Sequence, residues 1–329
     1  QAMQQVEQAS VVVLGTGGTI AGTAAQAGDN IGYTAAQVTV DQLLGANPML
    51  PCALGGRRLV TEQVAQVDSK DMSVGIWRAL AVRCLHWLAD ASVQGIVITH
   101  GTDTLEETAW FLQALLRPGK PVVLTCAMRP ATSLAPDGPQ NLLDAMAVVQ
   151  DPEARGVLAV CAGVVHGARD VRKIHPYRLD AFDSGDAGPL GYVEEGRVRW
   201  VKSASFEPDP VVNWSLDAIH LILDQPVWPR VEILTSHAGA GGAVADLLVQ
   251  DGVQGLVVAC TGNGSLHHDL EASLLRAQAS GVGVVRATRC ALGQVLPKAG
   301  DELAHSNGLS PVKARVSLML ERLAAQATR

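Results

Sequence analysis

No apolar stretch of this 329-residue chain is long enough to span a bilayer. Basic charge is in deficit: 25 Lys and Arg stand against 32 Asp and Glu, a net charge of −7. A nucleic-acid surface therefore has no electrostatic basis. Charged residues make up 17% of the chain and form no long block, and no segment is low in complexity, which argues against disorder. Internal repeats are lacking too. None of the six cysteines, Cys52, Cys84, Cys126, Cys161, Cys260 and Cys290, forms a C-x-x-C pair, so a structural zinc site is not expected. The opening residues QAMQQVEQAS lack the basic-then-apolar pattern of a secretory signal, although a leader removed on maturation would leave no trace.

Hydrophobic residues supply 48% of the chain, enough for a sizeable core in one large domain or two ordinary ones. Cys84, Cys126, Cys161 and Cys260 lie within or beside apolar segments. They are expected as small buried thiols, which points to a reducing compartment. Short apolar runs at Val11–Leu14, Gly95–Thr99, Val122–Ala127, Val157–Cys161, Val231–Thr235, Gly255–Cys260 and Gly283–Ala287 read as buried strands. Between many of them lie amphipathic stretches. Ile76, Leu80, Cys84 and Leu88 recur every four residues, with Trp77, Ala81 and Leu85 beside them, so this segment is a helix with one broad buried face. Thr108–Leu116, Asn141–Val149, Gly241–Val249, His268–Ala279 and a last helix from Pro311 to about Ala325 complete the set. Strands alternating with helices predict an α/β fold with parallel sheets covered on both faces. The prolines of FEPDPVVNW and DQPVWPR break that rhythm. The expected organisation is thus an α/β domain over 1–204, a linker over 205–229 and a second α/β domain over 230–329.

In open α/β sheets chemistry gathers beyond the carboxyl ends of the strands. The first such loop is GTGGTIAG, Gly15–Gly22. It fails the dinucleotide fingerprint, because Ile20 occupies the third glycine position, and it lacks the Lys-Ser/Thr of a phosphate loop. Its glycines permit positive φ and expose backbone N–H groups to an oxyanion or a close substrate. Thr16 and Thr19 either satisfy backbone groups or face a pocket. The second loop, VITHGTDTLEE, crowds His100, Thr102, Asp103 and Thr104 against a helix N-terminus, and Thr104–Glu107 has capping-box spacing. In VDSKDMS, Ser69 and Asp71 read as helix caps. In GARDVRK, Gly167–Lys173, the charges by themselves read as a solvated cluster.

Taken together, GTGGTIAG and HGTDTLEETAWF strongly resemble the two signatures of bacterial-type L-asparaginases. The likeness continues through AMRPATSLAPDGPQNL, GARDVRK, GPLGYVEEG, GNGS and PVKARVSLML, and so spans nearly the whole chain. The resemblance implies a larger N-terminal and a smaller C-terminal α/β domain, each a sheet flanked by helices. It implies a homotetramer with active sites where one subunit's N-terminal domain meets a neighbour's C-terminal domain, and no metal or organic cofactor. The implied reaction is hydrolysis of L-asparagine to L-aspartate and ammonia through a covalent acyl-enzyme.

Carried over by position, Thr19 matches the nucleophile and Tyr33 a tyrosine on a loop that closes over substrate and helps activate that hydroxyl. Thr102 and Asp103 match the second threonine and its neighbouring aspartate, and Lys173 the lysine that works with them. Ser69 matches a serine that holds the substrate's α-carboxylate, and Gly18 belongs to the substrate-contacting glycine loop. Ser265 falls where relatives carry asparagine or serine contributed by a neighbouring subunit. Lys70 departs from the neutral or acidic residue usual after that serine; it either strengthens the carboxylate grip or swings out to solvent. Asp301 or Glu302 stands nearest to the acidic residue that relatives bring from the neighbouring chain. Asp90 and Pro118 occupy the positions of the disulfide of exported relatives, which fits a cytoplasmic location. The chemistry agrees with these roles. A threonine hydroxyl is a weak nucleophile that needs a nearby base, and a small charged substrate must be gripped at both ends.

Three other readings compete. An ammonia-supplying subunit of a tRNA-dependent amidotransferase carries an extra N-terminal domain, and here the first strand starts by Val11. A non-catalytic amino-acid-binding sensor of the same fold has no need of all five reactive side chains. A nucleotide-binding oxidoreductase is weakened by Ile20.

Overall fold

Val11 to Leu14 expose no surface, because their strand lies between two parallel partners. The structure is a computed structural model that describes residues 8–203 and 213–329. Strand β1 (Ser10–Gly17) leads into a small hairpin, β2 (Thr23–Ala24) and β3 (Tyr33–Thr34). Two short helices follow, α1 (Val40–Gly45) and α2 (Leu50–Leu54), and then β4 (Arg58–Val67). Next come α3 (Val74–Leu88), β5 (Val93–Thr99), α4 (Leu105–Leu116), β6 (Pro121–Thr125), α5 (Gly138–Val149) and β7 (Gly156–Cys161). Strand β8 (Val164–Gly167), the short pair β9 (Arg172–Lys173) and β10 (Phe182–Asp183), and the hairpin β11 (Gly191–Glu194) with β12 (Arg197–Trp200) complete this part of the chain.

Eight strands form one sheet in the order β12-β11-β8-β7-β6-β5-β1-β4. From β7 to β4 every pairing is parallel, while β8, β11 and β12 are added antiparallel. Alternation along the strands turns Val11, Val13, Val97, Val123 and Leu158 to one face, where they pack with Leu142, Ala145, Met146 and Val149 of α5. Their neighbours Val12, Ile96, Ile98, Val122 and Leu124 face the other way and are equally buried. Helices α3 and α4 pack on the sheet and on each other. The parallel arrangement brings the carboxyl ends of β1, β4, β5 and β6 to one edge, and the loops at that edge build the site.

Strand β4 is not marked in the sequence. Its residues RLVTEQVAQV are only partly buried because the strand is the last in the sheet, so no continuous apolar run marks it.

The second compact unit, Asn213–Arg329, begins earlier than residue 230. Of the expected linker, 205–212 lie outside the described residues, and the remainder is not a bare connection. Helix α6 (Leu216–Leu223) occupies it, with Ser215 Oγ accepting from the Ala218 N–H. The prolines flank this helix without entering it, and Ile219, Ile222 and Leu223 are buried. The unit continues with β13 (Val231–Thr235), α7 (Ala243–Gln250), β14 (Gly255–Cys260), α8 (His268–Ala279), β15 (Gly283–Thr288), β16 (Ala304–His305) and α9 (Pro311–Ala327), against which α6 packs. Its four strands are all parallel, in the order β13-β14-β15-β16. No helix among the described residues is long and apolar enough to cross a membrane. All six cysteines are free; Cys84, Cys126, Cys161 and Cys260 are buried, and Cys52 and Cys290 are exposed.

Candidate active site

Three loops meet backbone to backbone at the carboxyl edge of the first sheet. Gly17 and Gly18 have φ of 101° and 82°, in the left-handed region that a side chain rarely adopts. A β-carbon on Gly18 would lie 2.4 Å from Gly101 Cα, and one on Gly101 would lie 2.4 Å from Ser69 Oγ. The Gly18 N–H donates to Val67 O at the end of β4 (2.9 Å). Gly18 is therefore a spacer: its lack of a side chain lets the loops after β1, β4 and β5 converge. Thr16 takes the backbone role, donating to Thr99 O over 2.7 Å inside the core. Thr19 takes the other. Its Oγ1 lies 2.7 Å from the Tyr33 hydroxyl, and both residues line a cavity of about 230 Å³ at this edge.

Ser69, Thr102, Asp103 and Lys173 line the same cavity. Ser69 is not a helix cap. Its Oγ accepts the Asp103 N–H (3.1 Å) and its carbonyl accepts the Thr104 hydroxyl (2.8 Å). The Ser69 proton is thereby left for an acceptor other than that backbone. Ser73 caps α3 instead, accepting from the Ile76 N–H (3.3 Å). Thr104 stands at the N-cap of α4 without a side-chain cap bond, because its hydroxyl is spent on tying the second loop to the third. Lys173, on β9, donates from Nζ to Thr102 Oγ1 (2.8 Å) and to Asp103 Oδ1 (2.6 Å). Its own backbone N–H donates to Glu106 Oε1 (3.0 Å). Its side chain is only 16% exposed, so it is no part of a solvated charge cluster.

Beneath the second loop lies a polar chain with a defined direction. His100 is wholly buried. Its Nδ1 is 2.7 Å from Gly101 O and its Nε2 2.8 Å from Thr108 Oγ1, which also accepts the Trp77 indole N–H (2.9 Å). A carbonyl only accepts, so Nδ1 carries the proton and Nε2 receives the Thr108 hydroxyl. Burial pushes the His100 imidazole down to about 4 from the usual 6.5, so it stays neutral in the folded protein. The unfolded chain takes up a proton in that window and the folded one does not. The sign follows: stability is complete above pH 6.5 and is lost as pH falls from 6.5 to about 4, by on the order of 3 kcal/mol. Urea midpoints measured across that range should show this loss, and His100→Gln should flatten it. An unchanged slope in the variant would assign the loss to other groups.

Not every expected residue reaches the cavity. The Lys70 side chain is 63% exposed and pairs with Asp71 (2.7 Å), so it takes the outward course. Ser265 lies in the second unit, paired with Thr261 in a tight turn. There it lines a separate pocket with Arg286, Asp301 and Glu302. The buried Arg286 holds that region by donating to Gly264 O and Leu303 O and pairing with Asp301 (3.2 Å). The cavity also has walls that the sequence reading did not single out: Asn30, Ile31, Asp68, Met128, Pro176 and Tyr177. Met128 was within reach of that reading, because it follows the carboxyl end of β6, where Asp137 accepts its N–H (2.9 Å). Asn30 and Tyr177 carry no local signal.

Residues 10–206 match the family described as Asparaginase, N-terminal, and residues 230–326 match the Glutaminase/Asparaginase C-terminal domain. L-asparaginase 2 of Bacillus subtilis is 36% identical over 97% of this chain and 84% of its own length. Glutaminase-asparaginase of Pseudomonas aeruginosa is 36% identical over 95% of this chain and 86% of its own. The crystal structure of a probable cytoplasmic L-asparaginase from Campylobacter jejuni superposes with a TM-score of 0.85 at 35% identity, covering 98% of this chain and 99% of that one. Two family domains in tandem, with relatives matched along nearly the full length, accompany a cavity where paired hydroxyls meet a lysine and an aspartate; the chain belongs to the bacterial-type L-asparaginases.

Proposed function

We propose that this amidohydrolase converts L-asparagine to L-aspartate and ammonia through an ester on Thr19, with L-glutamine as a slower substrate. The contact of Thr19 Oγ1 with the Tyr33 hydroxyl, in one cavity with the Lys173–Thr102 pair, carries the reading. Thr19 Oγ1 attacks the carboxamide carbon. Its proton passes to the Tyr33 oxygen while Tyr33 hands its own to the departing nitrogen, which leaves as ammonia. Water then attacks the ester, aligned by Thr102 under the hold of Lys173, and its proton restores the Thr19 hydroxyl. The Asp103 carboxylate meets the substrate's α-ammonium, and the Ser69 hydroxyl donates to the α-carboxylate.

The active form is a homotetramer in which a neighbour's Ser265, with Asp301 or Glu302, closes the site, and the free thiols support a cytoplasmic location. Glutamine is longer by one methylene, a difference that a pocket discriminates by roughly 1–3 kcal/mol. Ammonia release from both amides, measured side by side on protein of tetrameric mass, tests the proposal. Asparagine is expected to be the faster substrate by about tenfold or more. Binding of asparagine without ammonia release would leave a sensor and sink the enzyme.

A further inference from the structure

The loop that carries Tyr33 also carries an unused acceptor. Asp29 organises this loop: its Oδ1 accepts the N–H groups of Ile31 (3.0 Å) and Gly32 (2.8 Å), and those two bonds hold its carboxyl below the usual range. A β-carbon on Gly32 would lie 2.5 Å from Asp29 Oδ2, so the turn is tight. Asn30 sits inside that turn and lines the cavity with Thr19 and Asp103. Its side-chain Oδ1 is shielded from solvent and has no hydrogen-bond partner among the described residues. A buried carbonyl without a donor is costly, and a donor entering the cavity relieves that cost.

We infer that Asn30 is a substrate-binding residue whose side-chain carbonyl accepts an N–H of the bound amino-acid amide. The inference rests on the reaction proposed above. The other groups around the cavity favour this assignment. Asp103 Oδ1 is already engaged by Lys173, while Thr102 and Ser69 accept from Lys173 and from Asp103 and so turn their own protons outward. The Thr102 and Ser69 hydroxyls thus offer donors to the cavity, whereas an amino-acid amide brings N–H groups at both ends that need acceptors. Asn30 supplies an acceptor on the same loop as the tyrosine that touches the nucleophile. Substrate capture and the Thr19–Tyr33 contact are thereby coupled through one tight turn.

Three variants test this against asparagine. Asn30→Leu keeps the shape and removes the acceptor, so KM should rise about tenfold while kcat stays within about threefold. Asn30→Asp keeps the acceptor and should recover most of the lost affinity. Asn30→Ala should behave like Asn30→Leu, and it guards against overpacking in the leucine variant. The rise in melting temperature given by L-asparagine in a Thr19→Ala background should shrink in the leucine and alanine variants and persist in the aspartate variant. A leucine variant with wild-type KM overturns the inference, as does an aspartate variant no better than leucine. Lack of ammonia release by the wild-type protein would instead sink the proposed reaction. The asparagine-induced shift would still report on Asn30 in that case.

Discussion

Thr19→Ala should release ammonia from asparagine at least about 10³-fold more slowly than the wild-type protein, with its fold intact. The substitution removes one hydroxyl and one methyl from a residue whose only side-chain hydrogen bond among the described residues is to Tyr33. Alanine is tolerated in the short 3₁₀ turn Thr19–Ala21, so the melting temperature should move little. Thr102→Ala should fall by a similar factor, for a different reason. It takes the Thr102 hydroxyl from Lys173 Nζ and, under the proposed mechanism, leaves the hydrolytic water unaligned. Under the proposed mechanism the two threonines act in one sequence of steps, so the double variant should be little slower than either single one. Mass spectrometry with a slowly hydrolysed amide should find the acyl adduct on the peptide containing Thr19, and Thr102→Ala should accumulate it. Full turnover in either single variant would refute the assigned roles.

Gly18→Ala should be the most damaging small substitution in the first unit. Its β-carbon would lie 2.4 Å from Gly101 Cα and 2.5 Å from Gly101 N. Backbone atoms cannot rotate away as the end of a flexible side chain can. The φ of 82° adds strain. Together these should cost about 3 kcal/mol or more and lower the melting temperature by roughly 5 °C or more. Activity should fall further than stability does. Gly18 precedes Thr19 and Gly101 precedes Thr102, so separating the loops separates the two hydroxyls. Calorimetry and ammonia release on the purified variant would test this. A variant that melts within about 1 °C of wild type and keeps its rate would show that the loops do not need this close approach.

Both results bear on how much of the molecule can be read from consecutive residues. The buried strands were legible because parallel strands covered on both faces need unbroken apolar runs, and β13 and β14 coincide with theirs. Helix α8 matched its periodicity from His268 to Ala279. The edge strand β4 was not legible, because half-buried residues write no such run. Helix α6 was hidden by prolines that flank it. Capping residues misled in an instructive way. Ser69 and Thr104 have the right types at the right spacing, but a tertiary partner took each hydroxyl: Ser69 Oγ serves Asp103 N, and Thr104 Oγ1 serves Ser69 O.

The two α/β units and the loops that line the cavity were legible in the sequence alone, since burial and turn chemistry are local and leave periodic marks; the family was legible only through the resemblance of several motifs in one order. Only the tertiary structure decided that Lys70 turns to Asp71 and away from the cavity, that Gly18 serves as a spacer, and that Asn30 and Tyr177 stand beside Thr19. The approach of Gly18 to Gly101 and of Tyr177 to the cavity of Thr19 depends on how closely backbones distant in the chain approach one another. That distance is set by the packing of whole sheets and helices, and no short run of residues encodes it.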